Sequence, residues 1–172
     1  MNVLSLVGWS GSGKTTLLTA LLPILIARGL RVSTVKHAHH GFDIDRPGKD
    51  SHRHRAAGAQ EVMVAGGSRW ALLHELGAAP EPPLAALLAR MAPVDLVLVE
   101  GYKLEPGAKL EVHRPALGKP PLWPGRPDIL AVASDIPLPG CGTEVLPLGD
   151  AAGVAEWTLT RLTSGSLRQS AA

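Results

Sequence analysis

The stretch Val3-Leu4-Ser5-Leu6-Val7-Gly8-Trp9-Ser10-Gly11-Ser12-Gly13-Lys14-Thr15-Thr16-Leu17-Leu18 decides the fold. Its first five residues form a short apolar run that stops at a glycine, the pattern of a buried strand. Gly8 to Thr15 then matches G-x-x-x-x-G-K-[ST], and the spacing has a chemical reason. Glycines let successive backbone N–H groups turn inward around phosphate oxygens. A helix predicted over residues 14–28 points its positive end at the same anion. Lys14 is placed to reach β- and γ-phosphates, the Thr15 hydroxyl to ligate Mg²⁺, and Thr16 to meet the α-phosphate. Strand, loop and helix in this order are the context the motif needs, so Gly8, Trp9, Ser10, Gly11, Ser12, Gly13, Lys14, Thr15 and Thr16 are the expected nucleotide-binding residues.

Working outward, Leu17, Leu18, Leu21, Leu22 and Leu25 recur at helical spacing. Pro23 removes one backbone donor inside that helix, and Gly29 supplies its stop. Residues 31–36, 61–65, 70–73, 94–99 and 129–133 read as strands. Residues 51–57, 84–91 and 150–162 read as helices. Residues 109–114 alternate polar and apolar, the pattern of a more exposed strand. Strands alternating with helices predict an α/β fold of the P-loop NTPase type. It would have a mainly parallel sheet flanked by helices and an additional antiparallel strand region. The expected organisation is one nucleotide-binding domain over residues 1–162 and a weakly packed tail over 163–172.

Composition narrows the class. The 172 residues suit one domain with a substantial core, and 45% of them are hydrophobic. Aromatics make up only 3%, so the core must be aliphatic. A net charge of +2 gives no case for nucleic acid or a membrane surface as partner. One cysteine, Cys141, excludes an internal disulfide and suits a reducing compartment. No apolar run approaches the ~18 residues of a membrane span, and no signal peptide is legible, so the expected location is cytoplasmic.

A nucleotide site also needs an acid at the end of a neighbouring strand. Glu100 ends Val94-Asp95-Leu96-Val97-Leu98-Val99 and suits a metal or a polarised water; the other reading is an ordinary strand-end carboxylate. Lys14 and Glu100 are thus the candidate catalytic pair, and Thr15, Asp45 and Glu100 the candidate metal ligands. Asp95, at the opposite end of its strand, reads as structural. Asp135 stands past the strand 129–133, at the edge where ligands bind in open α/β sheets. Its carboxylate could accept from guanine N1–H and N2–H₂, or simply start the turn before Pro137.

Residues 36–55 gather Lys36, His37, His39, His40, Asp43, Asp45, Arg46, Lys49, Asp50, His52, Arg53, His54 and Arg55. An anion- or partner-binding surface, a transition-metal site and a solvated face all fit this composition.

The phosphate loop together with Lys36-His37-Ala38-His39-His40, Pro47-Gly48-Lys49-Asp50-Ser51, Arg69-Trp70-Ala71-Leu72, Val97-Leu98-Val99-Glu100-Gly101-Tyr102-Lys103 and Ile129-Leu130-Ala131-Val132-Ala133-Ser134-Asp135 resembles the MobB family, the molybdopterin-guanine dinucleotide biosynthesis adaptor proteins. The resemblance spans roughly residues 3–160 and implies a GTP-binding protein that hydrolyses GTP weakly at most. It implies a homodimer beside molybdopterin guanylyltransferase, the enzyme that joins GMP to molybdopterin, with the pterin as a further candidate ligand. The family's nucleotide role carries onto Gly11, Ser12, Gly13, Lys14, Thr15 and Thr16, and its metal-side acid onto Glu100. Two rival readings use the same loop: a small-molecule kinase and a metal-delivery GTPase.

Overall fold

The computed structural model describes residues 1–38 and 41–168. In chain order the elements are β1 (Val3–Val7), α1 (Lys14–Ala27), β2 (Val32–Lys36), α2 (Asp50–Ala56), β3 (Glu61–Ala65), β4 (Trp70–His74), α3 (Leu84–Leu88), β5 (Leu96–Glu100), β6 (Lys109–His113), β7 (Ile129–Ser134), β8 (Glu144–Pro147) and α4 (Ala151–Thr163). The chain divides into two compact units, Met1–His37 with Leu84–Ala172, and Ala38–Pro83.

The first unit carries one six-stranded sheet in the order β2-β5-β1-β6-β7-β8, every pair parallel. The alternation of side chains across the strands sends Leu4, Leu6, Leu96, Leu98, Leu110, Val112, Ala131 and Ala133 into the cluster that holds Leu17, Leu18, Leu21 and Leu25 of α1 and Val154, Ala155 and Trp157 of α4. Val3, Val97 and Val99 instead join Leu84 and Leu88 of α3 and Tyr102. Leu21 and Leu25 are fully buried, and burial of such a side chain contributes roughly 2 kcal/mol. α1 ends at Ala27, and Gly29 takes the left-handed φ of 84° that closes it.

Three expectations change. The strand at 109–113 is buried along its whole length, not exposed, because it lies between β1 and β7. Its polar residues are satisfied internally. Lys109 Nζ donates to the Glu105 and Gly107 carbonyls and pairs with Asp128 at 2.7 Å, and Arg126 pairs with the same carboxylate. Glu111 accepts from the backbone N–H groups of Leu122 and Trp123. The strand β8 extends the sheet where the sequence offered no pattern. The tail does not pack weakly throughout: Leu167 is buried in the first core, and its carbonyl accepts from Val3 N at 2.9 Å. The remainder of that tail, 169–172, lies outside the described residues. Asp95 is structural, as expected, accepting from the Arg31 backbone and side chain.

The second unit pairs β3 with β4 as an antiparallel hairpin. Within it, Arg55 binds Asp43 at 3.0 Å, Glu75 at 3.0 Å and Asp45 at 3.4 Å. Met63, Val64, Trp70 and Leu72 of the hairpin are exposed.

Candidate functional site

Because all six strands of the main sheet run the same way, their carboxyl ends share one edge. That edge carries Gly8 after β1, Glu100 at the end of β5, Arg114 after β6, Ser134 and Asp135 at β7, and Leu148 after β8. The phosphate loop occupies its centre. Gly8, Gly11 and Gly13 have φ of 146°, 80° and 101°, values that a residue with a Cβ adopts only under strain. Gly8 has a second reason to be glycine: a Cβ there would run into the Val112 carbonyl oxygen. Ser12 N closes the loop onto Trp9 O at 3.2 Å, and Gly13 caps α1. The Ser12 hydroxyl is buried and has no hydrogen-bond partner among the described residues. Backbone donors at a helix start, glycines that allow close approach and an orphaned hydroxyl fit a phosphate group.

Lys14 Nζ donates to the carbonyls of Gly8 (3.0 Å) and Trp9 (2.8 Å), which holds the ammonium over the loop. Burial lowers its pKa first; Glu100 opposes that shift, while Lys36 and Lys103 add to it. Thr15 Oγ1 donates to Glu100 Oε1 at 2.7 Å, and Lys36 Nζ reaches the same oxygen at 3.0 Å. Burial pushes Glu100 up, but the Thr15 hydroxyl and the Lys36 ammonium outweigh it and keep the carboxyl below its ordinary range. A hydroxyl and an ionised carboxylate in contact are hard oxygen donors of the kind Mg²⁺ takes. The pair therefore fits the metal expected there.

Beside the loop, a cavity of 430 Å³ is bounded by Gly13, Thr16 and Ala20 on the α1 side and by Asp135, Pro147 and Leu148 opposite. Its size is that of a small-ligand site, with apolar walls and few polar groups. Asp135 sits in its wall, as the strand-end reading requires. Sequence reasoning missed Arg114, which lines the same cavity and pairs with Asp135 at 3.3 Å. The available signal was a basic residue just past a strand, on the ligand-binding edge. Trp9 was also underread. Its Nε1 donates to Pro120 O at 2.8 Å, and Lys103 Nζ lies 4.4 Å from its ring centroid. The proline-rich segment after β6 thus holds the phosphate loop from outside.

The polar tract 36–55 divides. In the first unit, Lys36 meets Glu100 and His37 stacks on Tyr102 at 4.5 Å. In the second, Asp45 accepts from Ser51 Oγ at 2.8 Å and from the Arg46 backbone, and pairs with Arg55. His39 and His40 lie outside the described residues. Among the described residues, no three His, Cys, Asp or Glu side chains are grouped to hold a metal ion.

Residues 3–135 match the family model MobB, molybdopterin guanine dinucleotide synthesis protein B. The chain belongs to the MobB family. Relatives agree over most of their length. The molybdopterin-guanine dinucleotide biosynthesis adapter protein of Escherichia coli (strain K12) is 44% identical over 161 residues, covering 91% of each chain. That of Haemophilus influenzae is 46% identical over 143 residues, 79% of this chain and 76% of its own. A crystal structure of a MobB protein homolog from Bacillus stearothermophilus superposes with a TM-score of 0.72 at 30% identity, covering 95% of this chain and 99% of its own. The MobB resemblance, the parallel sheet flanked by helices and the separate antiparallel hairpin are thus borne out. As a MobB protein, the chain is an adapter of molybdopterin guanine dinucleotide synthesis. Among the described residues, no helix is long and apolar enough to cross a membrane.

Proposed function

We propose that this MobB chain binds GTP with Mg²⁺ and, as an adaptor, supports the attachment of GMP to molybdopterin by a guanylyltransferase. One observation carries the reading: the phosphate loop opens α1 with Thr15 in contact with Glu100, beside a cavity that ends at Asp135. In this reading Gly11, Ser12 and Gly13 give backbone donors to the phosphates, and Lys14 supplies a mobile positive charge to the β- and γ-phosphates. Thr15 and Glu100 hold the metal, which neutralises phosphate charge. Thr16 meets the α-phosphate. Leu17, Ala20, Pro147 and Leu148 offer apolar contact to a base, and Asp135 accepts from the guanine edge.

A homodimer belongs to the same proposal, supported by the exposed apolar side chains of the β3–β4 hairpin. So does a cytoplasmic location, which suits a chain with one cysteine. Titration calorimetry with GTP and ATP, each with Mg²⁺ and with EDTA, tests the nucleotide claim. GTP should bind more tightly than ATP, and Mg²⁺ should strengthen it; equal affinity for both triphosphates would remove the guanine assignment. Affinity capture with a molybdopterin guanylyltransferase tests the adaptor claim. Stoichiometric phosphorylation of a small acceptor would sink it in favour of a kinase.

A further inference from the structure

Arg114 joins the two halves of the site through one rigid group. Its Nε donates to the carbonyl of Ser12, in the phosphate loop, at 3.0 Å. Its Nη1 donates to Asp135 Oδ2, in the cavity wall, at 3.3 Å. The guanidinium lies against Gly13, where a Cβ would stand in ordinary van der Waals contact, 3.6 Å from both Nε and Nη2. The geometry needs a planar fork with donors in fixed relation, which lysine does not offer.

The pair is too exposed to matter much for the fold, with side chains 41% and 33% accessible. What it does fix is direction. A carboxylate can accept from guanine N1–H and N2–H₂ together only if both oxygens lie near the plane of the base. Asp135 follows the end of β7 and rotates freely unless something holds one oxygen. The Arg114 bond takes one direction of Oδ2 and leaves Oδ1 and the remaining Oδ2 lone pair for a ligand.

We propose that Arg114 is a positioning residue for base selectivity: it aims the Asp135 carboxylate at the base and ties that aim to the phosphate loop through Ser12. The inference rests on the GTP reading above. Adenine lacks the paired donors, so the aim of Asp135 affects GTP affinity and leaves ATP affinity nearly alone.

The test is a mutant cycle on the full chain: Arg114→Met, Asp135→Asn and the double variant, with GTP and ATP dissociation constants measured in Mg²⁺. Thermal melts check folding. Arg114→Lys serves as a second variant that keeps the charge but not the fork. Arg114→Met and Arg114→Lys should each lower the GTP:ATP affinity ratio by about tenfold, the scale of losing one well-aimed bidentate base contact. In the Asp135→Asn background, Arg114→Met should leave the ratio unchanged. A parallel loss for both nucleotides, or a ratio that falls just as far without Asp135, would overturn the role assigned to Arg114. GTP binding with an unchanged ratio in the Arg114 variants overturns this inference alone. A wild-type chain that binds no GTP overturns the functional reading and this inference with it.

Discussion

The Thr15 hydroxyl donates to Glu100 Oε1 at 2.7 Å, although 85 positions separate the two residues. The contact links the helix that follows β1 to the end of β5, its parallel neighbour. It gives the carboxylate a defined orientation beside the phosphate loop. Glu100→Gln keeps the size of the side chain but removes the charge a divalent cation needs. Calorimetry should show the Mg²⁺-dependent gain in GTP affinity cut by at least about tenfold, because a charged ligand has been lost. Binding in EDTA should change little. Equal losses with and without Mg²⁺ would contradict the metal role.

Lys14→Ala should reduce triphosphate binding by two orders of magnitude or more, roughly the loss of a desolvated charge pair with phosphate. The fold should survive, because Lys14 bonds only to carbonyls of its own loop. Retained affinity in a folded variant would show that the loop does not use this ammonium for phosphate.

Gly8→Ala and Gly11→Ala separate space from backbone strain. At Gly8 an added Cβ meets the Val112 carbonyl, whereas at Gly11 its nearest neighbour is the flexible end of Leu117 at 3.8 Å. Chemical denaturation should show a loss of about 1 kcal/mol for Gly11→Ala, the cost of a left-handed φ. Gly8→Ala should lose clearly more, with nucleotide binding abolished. Equal destabilisation would remove the steric explanation.

Asp128→Asn should cost about 3 kcal/mol in urea unfolding, because it leaves the fully buried Lys109 ammonium without its anion. Hydrogen bonding from Arg126, then the bond and charge of Lys109, hold the Asp128 carboxyl well below the usual carboxylate range. The folded protein therefore binds this proton less readily than the unfolded chain. The resulting stability is fully present above about pH 4 and is lost as the pH falls further. The advantage of wild type over Asp128→Asn should narrow by roughly 1 kcal/mol between pH 7 and pH 3 and close only at still lower pH. A constant difference would place the effect elsewhere.

Much of this was written locally. The run from Val3 to Thr16 specifies strand, loop and helix within one continuous stretch, so local rules suffice. Glu100 and Asp135 were legible because each ends an apolar run on the ligand-binding edge. Lys109, Glu111 and His113 misled for the same local reason: alternating charge reads as a wet face unless a distant segment covers it. Here Asp128 and the amides of Leu122 and Trp123 do so. β8 gave no signal because it is short and half-buried, and it ends in Pro147. Arg114 could be seen as basic and past a strand, but its partners Ser12 and Asp135 meet only in three dimensions.

The order of strands also bears on how the chain comes to fold. β1 pairs Val3 with Val97 and Ser5 with Lys109. β1 thus waits for its β5 partner across 94 positions of chain (Val3 to Val97) and for its β6 partner across 104 (Ser5 to Lys109). Such distant pairing carries a large loop-closure cost and folds slowly. During synthesis the nascent phosphate loop is attached to an unpaired apolar strand, so the interval before β5 and β6 arrive is when this chain is most exposed to aggregation and most in need of chaperone shelter.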